Sequence, residues 1–132
     1  MSDIEYRRFV SELCECIGLD DWQEVVRSGH LEINGKTVGL IRSAESGGAR
    51  GVSVYVDLGP VPEHSCAKVH KELLIANLSP AESAGGCFGI HPVTGDGVYH
   101  LRHAADASAQ VLSDRLDAVF KTVVLQYQGM VS

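Results

Sequence analysis

A chain of 132 residues, 45% hydrophobic and 21% charged, is long enough to bury one core and too apolar for intrinsic disorder. Its formal net charge of −6 and pI near 5.4 count against non-specific attachment to nucleic acid or to an anionic membrane, and fit a soluble protein or one with a basic partner. No apolar run reaches the roughly 18 residues of a membrane span, and Met1-Ser2-Asp3-Ile4-Glu5 lacks the basic start and apolar core of a signal peptide. The expectations are therefore a single domain over 1–132, a cytosolic address, no membrane insertion, and four cysteines (Cys14, Cys16, Cys66, Cys87) that are reduced and buried rather than bridged.

The first element is a helix over 3–17. Tyr6, Phe9, Val10, Leu13 and Ile17 recur at helical spacing between polar Glu5, Arg7, Arg8, Glu12 and Glu15. Ser2 or Asp3 can cap its start and Gly18 its end. The acidic stretch Leu19 to Val26 reads as a helical turn that tucks Trp22 against a sheet. Leu31, Ile33, Val38 and Leu40 then flank Asn34-Gly35, a pair that accepts the positive φ values of a tight turn, so 30–34 and 37–42 form an antiparallel hairpin.

Ser46 to Gly51 is a glycine-rich loop. Beyond it Val52, Val54, Val56 and Leu58 alternate with Ser53, Tyr55 and Asp57, the clearest strand in the chain. Gly59-Pro60 ends that strand, and Pro62 opens a helix over 63–78 that Pro80 closes. In this helix Cys66, Val69, Leu73 and Ala76 form a stripe, widened by Ala67, Leu74 and Leu78 beyond what one sheet face needs, while Ile75 lies on the far side with Lys68, Lys71 and Glu72. Cys87, Phe88 and Ile90 make a fourth strand and Val98, Tyr99 and Leu101 a fifth, joined across 92–97. A final helix over 107–127 carries Leu112, Leu116, Val119, Phe120, Val123 and Tyr127 on one face, with Ser108 available as its cap. The fold class is α+β, a twisted antiparallel sheet in the order α-β-β-β-α-β-β-α.

Chemical motifs are sparse. Cys14-x-Cys16 has the wrong spacing for a zinc knuckle. Cys66 and His70, at i and i+4, could share a metal but have no evident second pair, and His100 and His103 fall on opposite faces of a strand. Cys87 with His91 or His100 could imitate a thiol nucleophile and its base, without a third group to orient the base. Gly47-Gly48 and Gly85-Gly86 lack the Lys-Ser/Thr of a phosphate-binding loop and the three-glycine dinucleotide fingerprint. Apolar surface, by contrast, is abundant, which points to a binding module.

In the order and spacing of its motifs the chain resembles the CesT-like (Tir chaperone) family, the small cytosolic chaperones of bacterial type III secretion. The residues that carry the resemblance run Asp57-Leu58-Gly59-Pro60-Val61-Pro62, Leu73-Leu74-Ile75-Ala76-Asn77-Leu78, Gly85-Gly86-Cys87-Phe88-Gly89-Ile90-His91-Pro92 and Gly97-Val98-Tyr99-His100-Leu101, with Phe9-Val10-Ser11-Glu12-Leu13 upstream. The segment from Trp22 to Gly29 is more polar than the family pattern leads one to expect.

The resemblance implies a bacterial cytoplasmic homodimer, associated with virulence, that has no enzymatic activity and no cofactor. It binds the N-terminal segment of a secreted effector, keeps that segment extended and soluble, and directs it to a type III secretion system. A secretion-apparatus ATPase is a further expected partner; nucleic acid is not. The effector-binding residues expected are Phe9, Leu13, Ile17, Leu31, Ile33, Val38 and Leu40, with Phe9, Leu13 and Leu31 partly exposed. Val69, Leu73, Leu74 and Ile75 are the expected dimer interface, divided between the protomer's own sheet and its partner. Two other readings stay open at this point: a small cysteine- or metal-dependent enzyme built on Cys87 and the histidines, and a dimeric adaptor without an export role.

Overall fold

The computed structural model describes residues 1–42, 51–78 and 85–132. Helix α1 (Asp3–Ile17) starts at Ser2, whose hydroxyl accepts from the Glu5 amide while the Glu5 carboxylate reaches back to the Ser2 amide, and ends at Gly18 in the left-handed conformation. The acidic stretch after it is a true short helix, α2 (Trp22–Ser28), capped by the Asp21 side chain, with Trp22 partly buried against the core. Strands β1 (His30–Ile33) and β2 (Lys36–Arg42) form the expected hairpin, with Asn34 at φ 50° and Gly35 at φ 78°. Of the glycine-rich loop only Gly51 lies within the described residues, where it begins β3 (Gly51–Gly59); Pro80 lies outside them.

The helix expected over 63–78 is shorter. A 3₁₀ turn (Glu63–Ser65) follows Pro62 and α3 covers Cys66–Ala76. Strands β4 (Cys87–Ile90) and β5 (Gly97–Ala104) complete the sheet. The last helix begins two residues later than expected and runs on to Val131, as α4 (Ala109–Ala118), a π-helical turn (Val119–Val123) and α5 (Val124–Val131). Ser108 caps it by accepting from the Val111 amide.

The sheet is antiparallel throughout, in the order β1-β2-β3-β5-β4. Its register stacks Val38 beside Val56 beside Tyr99, and Leu40 beside Val54 beside Leu101. That face is buried, together with Phe9, Val10 and Leu13 of α1, Leu112 and Leu116 of α4, and Tyr127 of α5, in one continuous core. The opposite face carries the half-buried Ser53, Tyr55 and Asp57. The strict alternation along β3 thus sorts core from surface with period two. Tyr127 locks the far end: its hydroxyl donates to the Gly59 carbonyl at 2.8 Å, and its ring fills the space where a Cβ on Gly97 would stand.

Side chains close parts of both sheet edges. On β4 the Asn77 amide accepts from the Phe88 N–H at 2.7 Å and donates to the Phe88 carbonyl at 3.2 Å. On β1 the Ser28 hydroxyl makes the equivalent pair with His30, at 3.2 Å each. The Leu40 N–H bonds the Gly29 carbonyl, so antiparallel alternation turns the Glu32 amide and carbonyl outward from the edge.

Candidate binding groove

Among the described residues a cleft lies where the end of α1, the turn of the first hairpin and the middle of the last helix converge. It holds about 270 Å³ and is lined by Cys16, Ile17, Ile33, Asn34, Leu116 and Phe120, with Ser113, Asp114 and Asp117 along one side. Each wall has a local cause. Ile17 is the last residue of α1 before Gly18 turns the chain away, and Ile33 is the last residue of β1 before the Asn34-Gly35 turn. Phe120 sits in the π-helical turn, where the wider ring of hydrogen bonds swells the helix; such turns recur at functional sites. Ile17, Ile33 and Phe120 are all half-buried against the core. A shallower depression lined by Glu12, Glu15, Ser108 and Gln110 continues along the α1–α4 seam and shares Cys16 with the cleft; the Cys16 thiol donates to the Gln110 side-chain oxygen at 3.4 Å.

This geometry divides the seven expected effector-binding residues. Ile17 and Ile33 line the cleft. Phe9, Leu13, Leu31, Val38 and Leu40 are core, none more than 5% exposed, so the partial exposure expected for Phe9, Leu13 and Leu31 is corrected. The reason is positional. Phe9 and Leu13 lie mid-helix over the sheet, with the Phe9 ring 5.1 Å from that of His103, whereas Ile17 lies at the helix end, where cover stops. Phe120 and Leu116, read from sequence only as part of a buried stripe, complete the wall. The expected dimer residues divide as well. Val69 and Leu73 face the protomer's own core, while Leu74 and Ile75 are 70% and 55% exposed and Leu78 is 83% exposed.

The alternative chemistries find little assembled. No hydrogen bond joins Cys87 to His91 or His100. The His91 Nδ1 instead accepts from the Val93 and Thr94 amides, at 3.2 Å each. The Cys66 sulfur lies 3.4 Å from His70 Nε2, yet among the described residues no three His, Cys, Asp or Glu side chains gather as metal ligands. All four cysteines are free; Cys14 is buried, but Cys16 and Cys87 are exposed and Cys66 half-buried, which corrects the expectation of four buried thiols. Burial, reinforced by Asp21, pushes the Cys14 thiol pKa up and away from thiolate chemistry. Among the described residues no helix is long and apolar enough to cross a membrane.

The chain superposes on a chain of the crystal structure of the ExsC-ExsE complex with a TM-score of 0.71 and 16% sequence identity, covering 97% of this chain and 94% of that one. The two chains share one fold, an α+β architecture around a five-stranded antiparallel sheet. No family model matches the sequence, and no curated protein matches it either. Within this fold the cleft, the β1 edge and the bare ridge of α3 are separate features. The first two adjoin at Ile33, and the third lies on a helix that packs against β4 and α5.

Proposed function

We propose that this protein is a non-enzymatic chaperone of the CesT-like kind, which works as a cytoplasmic homodimer and holds the N-terminal segment of a secreted effector extended and soluble for type III export. The observation that carries the reading is the likeness over nearly the whole chain to a protein solved in complex with a second protein. The groove supports it. Ile17, Ile33, Leu116 and Phe120 offer an apolar slot beside the one stretch of β1 edge, at Glu32, whose backbone groups face outward. An extended segment can set a side chain into such a slot and pair its own backbone with such an edge.

An apolar cargo side chain that buries about 100 Å² gains about 2.5 kcal/mol. Several such contacts are needed to offset the ordering of a long unfolded segment. Pairing two protomers through Leu74 and Ile75 of α3 and Leu78 just beyond it supplies two slots on one body and raises the local concentration for the second contact. Holding requires no nucleotide, and the proposal assigns a secretion ATPase only to later handover.

Ile33→Asp and Leu31→Asp test the groove against the protein encoded by the neighbouring gene, the natural candidate cargo. Ile33→Asp is expected to keep the fold and lose at least tenfold in affinity. Leu31→Asp places a charge in the core and is expected to unfold the chain. Full binding by a folded Ile33→Asp variant would contradict this placement of the cargo.

A further inference from the structure

We infer that the groove selects a segment in which the apolar anchor is flanked by lysine or arginine; this deepens the chaperone reading and rests on it. The slot supplies apolar contact, and its surroundings decide what must stand beside the anchor. Asp114 and Asp117 rise from one wall of the cleft, and Glu12 and Glu15 line the depression that continues it. All four are exposed.

The cations of this region are fewer. Lys121 is held by Asp117 at 2.8 Å, Lys36 stands across the hairpin from Ile33, and the exposed Arg8 lies one turn before Glu12 on α1. Asp114 receives only the neutral Gln110 amide, at 2.9 Å. Four carboxylates against three cations leave the seam negative, within a chain whose formal charge is already −6. A segment crossing the slot runs with its neighbouring residues over these carboxylates. Basic side chains there gain attraction, whereas acidic ones meet repulsion in a partly desolvated cleft. Hydrophobicity alone would admit any exposed apolar stretch; the acidic rim restricts entry to segments that are both apolar and basic.

The test uses the full-length ¹⁵N-labelled protein and three short Gly-Ser peptides, each with one central leucine flanked by two arginines, two serines or two glutamates. Amide shifts at Ile17, Ile33 and Phe120 report the site and give the dissociation constants. The arginine peptide is expected to bind several-fold to about tenfold tighter than the serine peptide, through two exposed ion pairs, and the glutamate peptide weaker than both. The arginine advantage should shrink to about twofold in Asp114→Asn/Asp117→Asn, and likewise when salt rises from about 20 mM to about 300 mM and the screening length drops below about 10 Å. Equal affinity of the three peptides, shifts confined to another surface, or no shifts from any peptide while the neighbouring-gene protein still binds would overturn the basic-flank inference alone. Failure of that protein to bind as well would overturn the chaperone reading beneath it.

Discussion

His103 shows how one residue ties the ends of the core together. It is 1% exposed, stacks on Phe9 of α1, and donates from Nε2 to the Ala107 carbonyl at 3.1 Å, just ahead of α4. Burial pushes its pKa below the ordinary histidine value; nearby Arg115 pushes the same way, against the Ala107 and Ser108 backbone and Asp106. Because the folded value is the lower one, the folded chain resists the proton that the unfolded chain accepts. Stability from this site is complete above about pH 6.5 and is lost as pH falls from there through the folded pKa. His103→Phe should therefore lose less stability than wild type between pH 7.5 and pH 5, measured by urea unfolding. Parallel losses in both proteins would show that His103 does not drive the acid sensitivity. At this same scale the groove was only half legible. Ile17 and Ile33 belong to the apolar stripes that sequence reveals, but a stripe marks what points inward and not where cover runs out. Phe120 reached the wall through a helical widening that no residue type announces.

At the scale of elements, β3 and the first hairpin were readable because their signals are local: period-two alternation, and an Asn-Gly pair suited to positive φ. The length of α3 and the π-helical turn were not, since the wide apolar arc continues past Ala76 and cannot distinguish helix from capped turn. The sheet's edges and ends rest on single contacts that mutation can probe. Asn77→Ala removes both bonds to Phe88 and bares the β4 edge. It is expected to cost about 1–2 kcal/mol and to increase light scattering on standing, as exposed edges do; an unchanged unfolding midpoint would show that the side chain is dispensable. Gly97→Ala drives a Cβ into the Tyr127 ring, whereas at Gly89 the nearest contact is an ordinary 3.6 Å. Overpacking at Gly97 should cost about 1–3 kcal/mol and Gly89→Ala much less, so equal losses in thermal denaturation would contradict the close packing of Tyr127 on β5.

For the whole molecule, the unpartnered ridge of α3 is the feature that one chain leaves unexplained. Leu74 and Ile75 stand side by side near the end of α3 and Leu78 follows in the turn just beyond it, all more than half exposed. In the proposed homodimer a second copy would cover this ridge, remove apolar surface from water and account for a helix broader in apolar character than its own sheet requires. Leu74→Glu is expected to shift the protein from dimer to monomer, because a dry interface cannot take an unpaired charge. Light scattering at tens of micromolar, roughly where a dimer of about 1 μM affinity is mostly associated, reads the change, and a monomeric wild type would refute the pairing. On the proposed function the arrangement as a whole is a holding device, with a slot on each of two protomers, an available strand edge and an acidic seam. The most direct measurement of that claim is the state of the cargo. The labelled N-terminal segment of the neighbouring-gene protein is mixed with the unlabelled 132-residue protein and examined by NMR, with the mass of any complex taken by light scattering. The account predicts two chaperone chains per segment, with the segment contacting them in extended form and making no compact fold of its own; a segment that binds as a folded globular domain, or that does not bind, would contradict it.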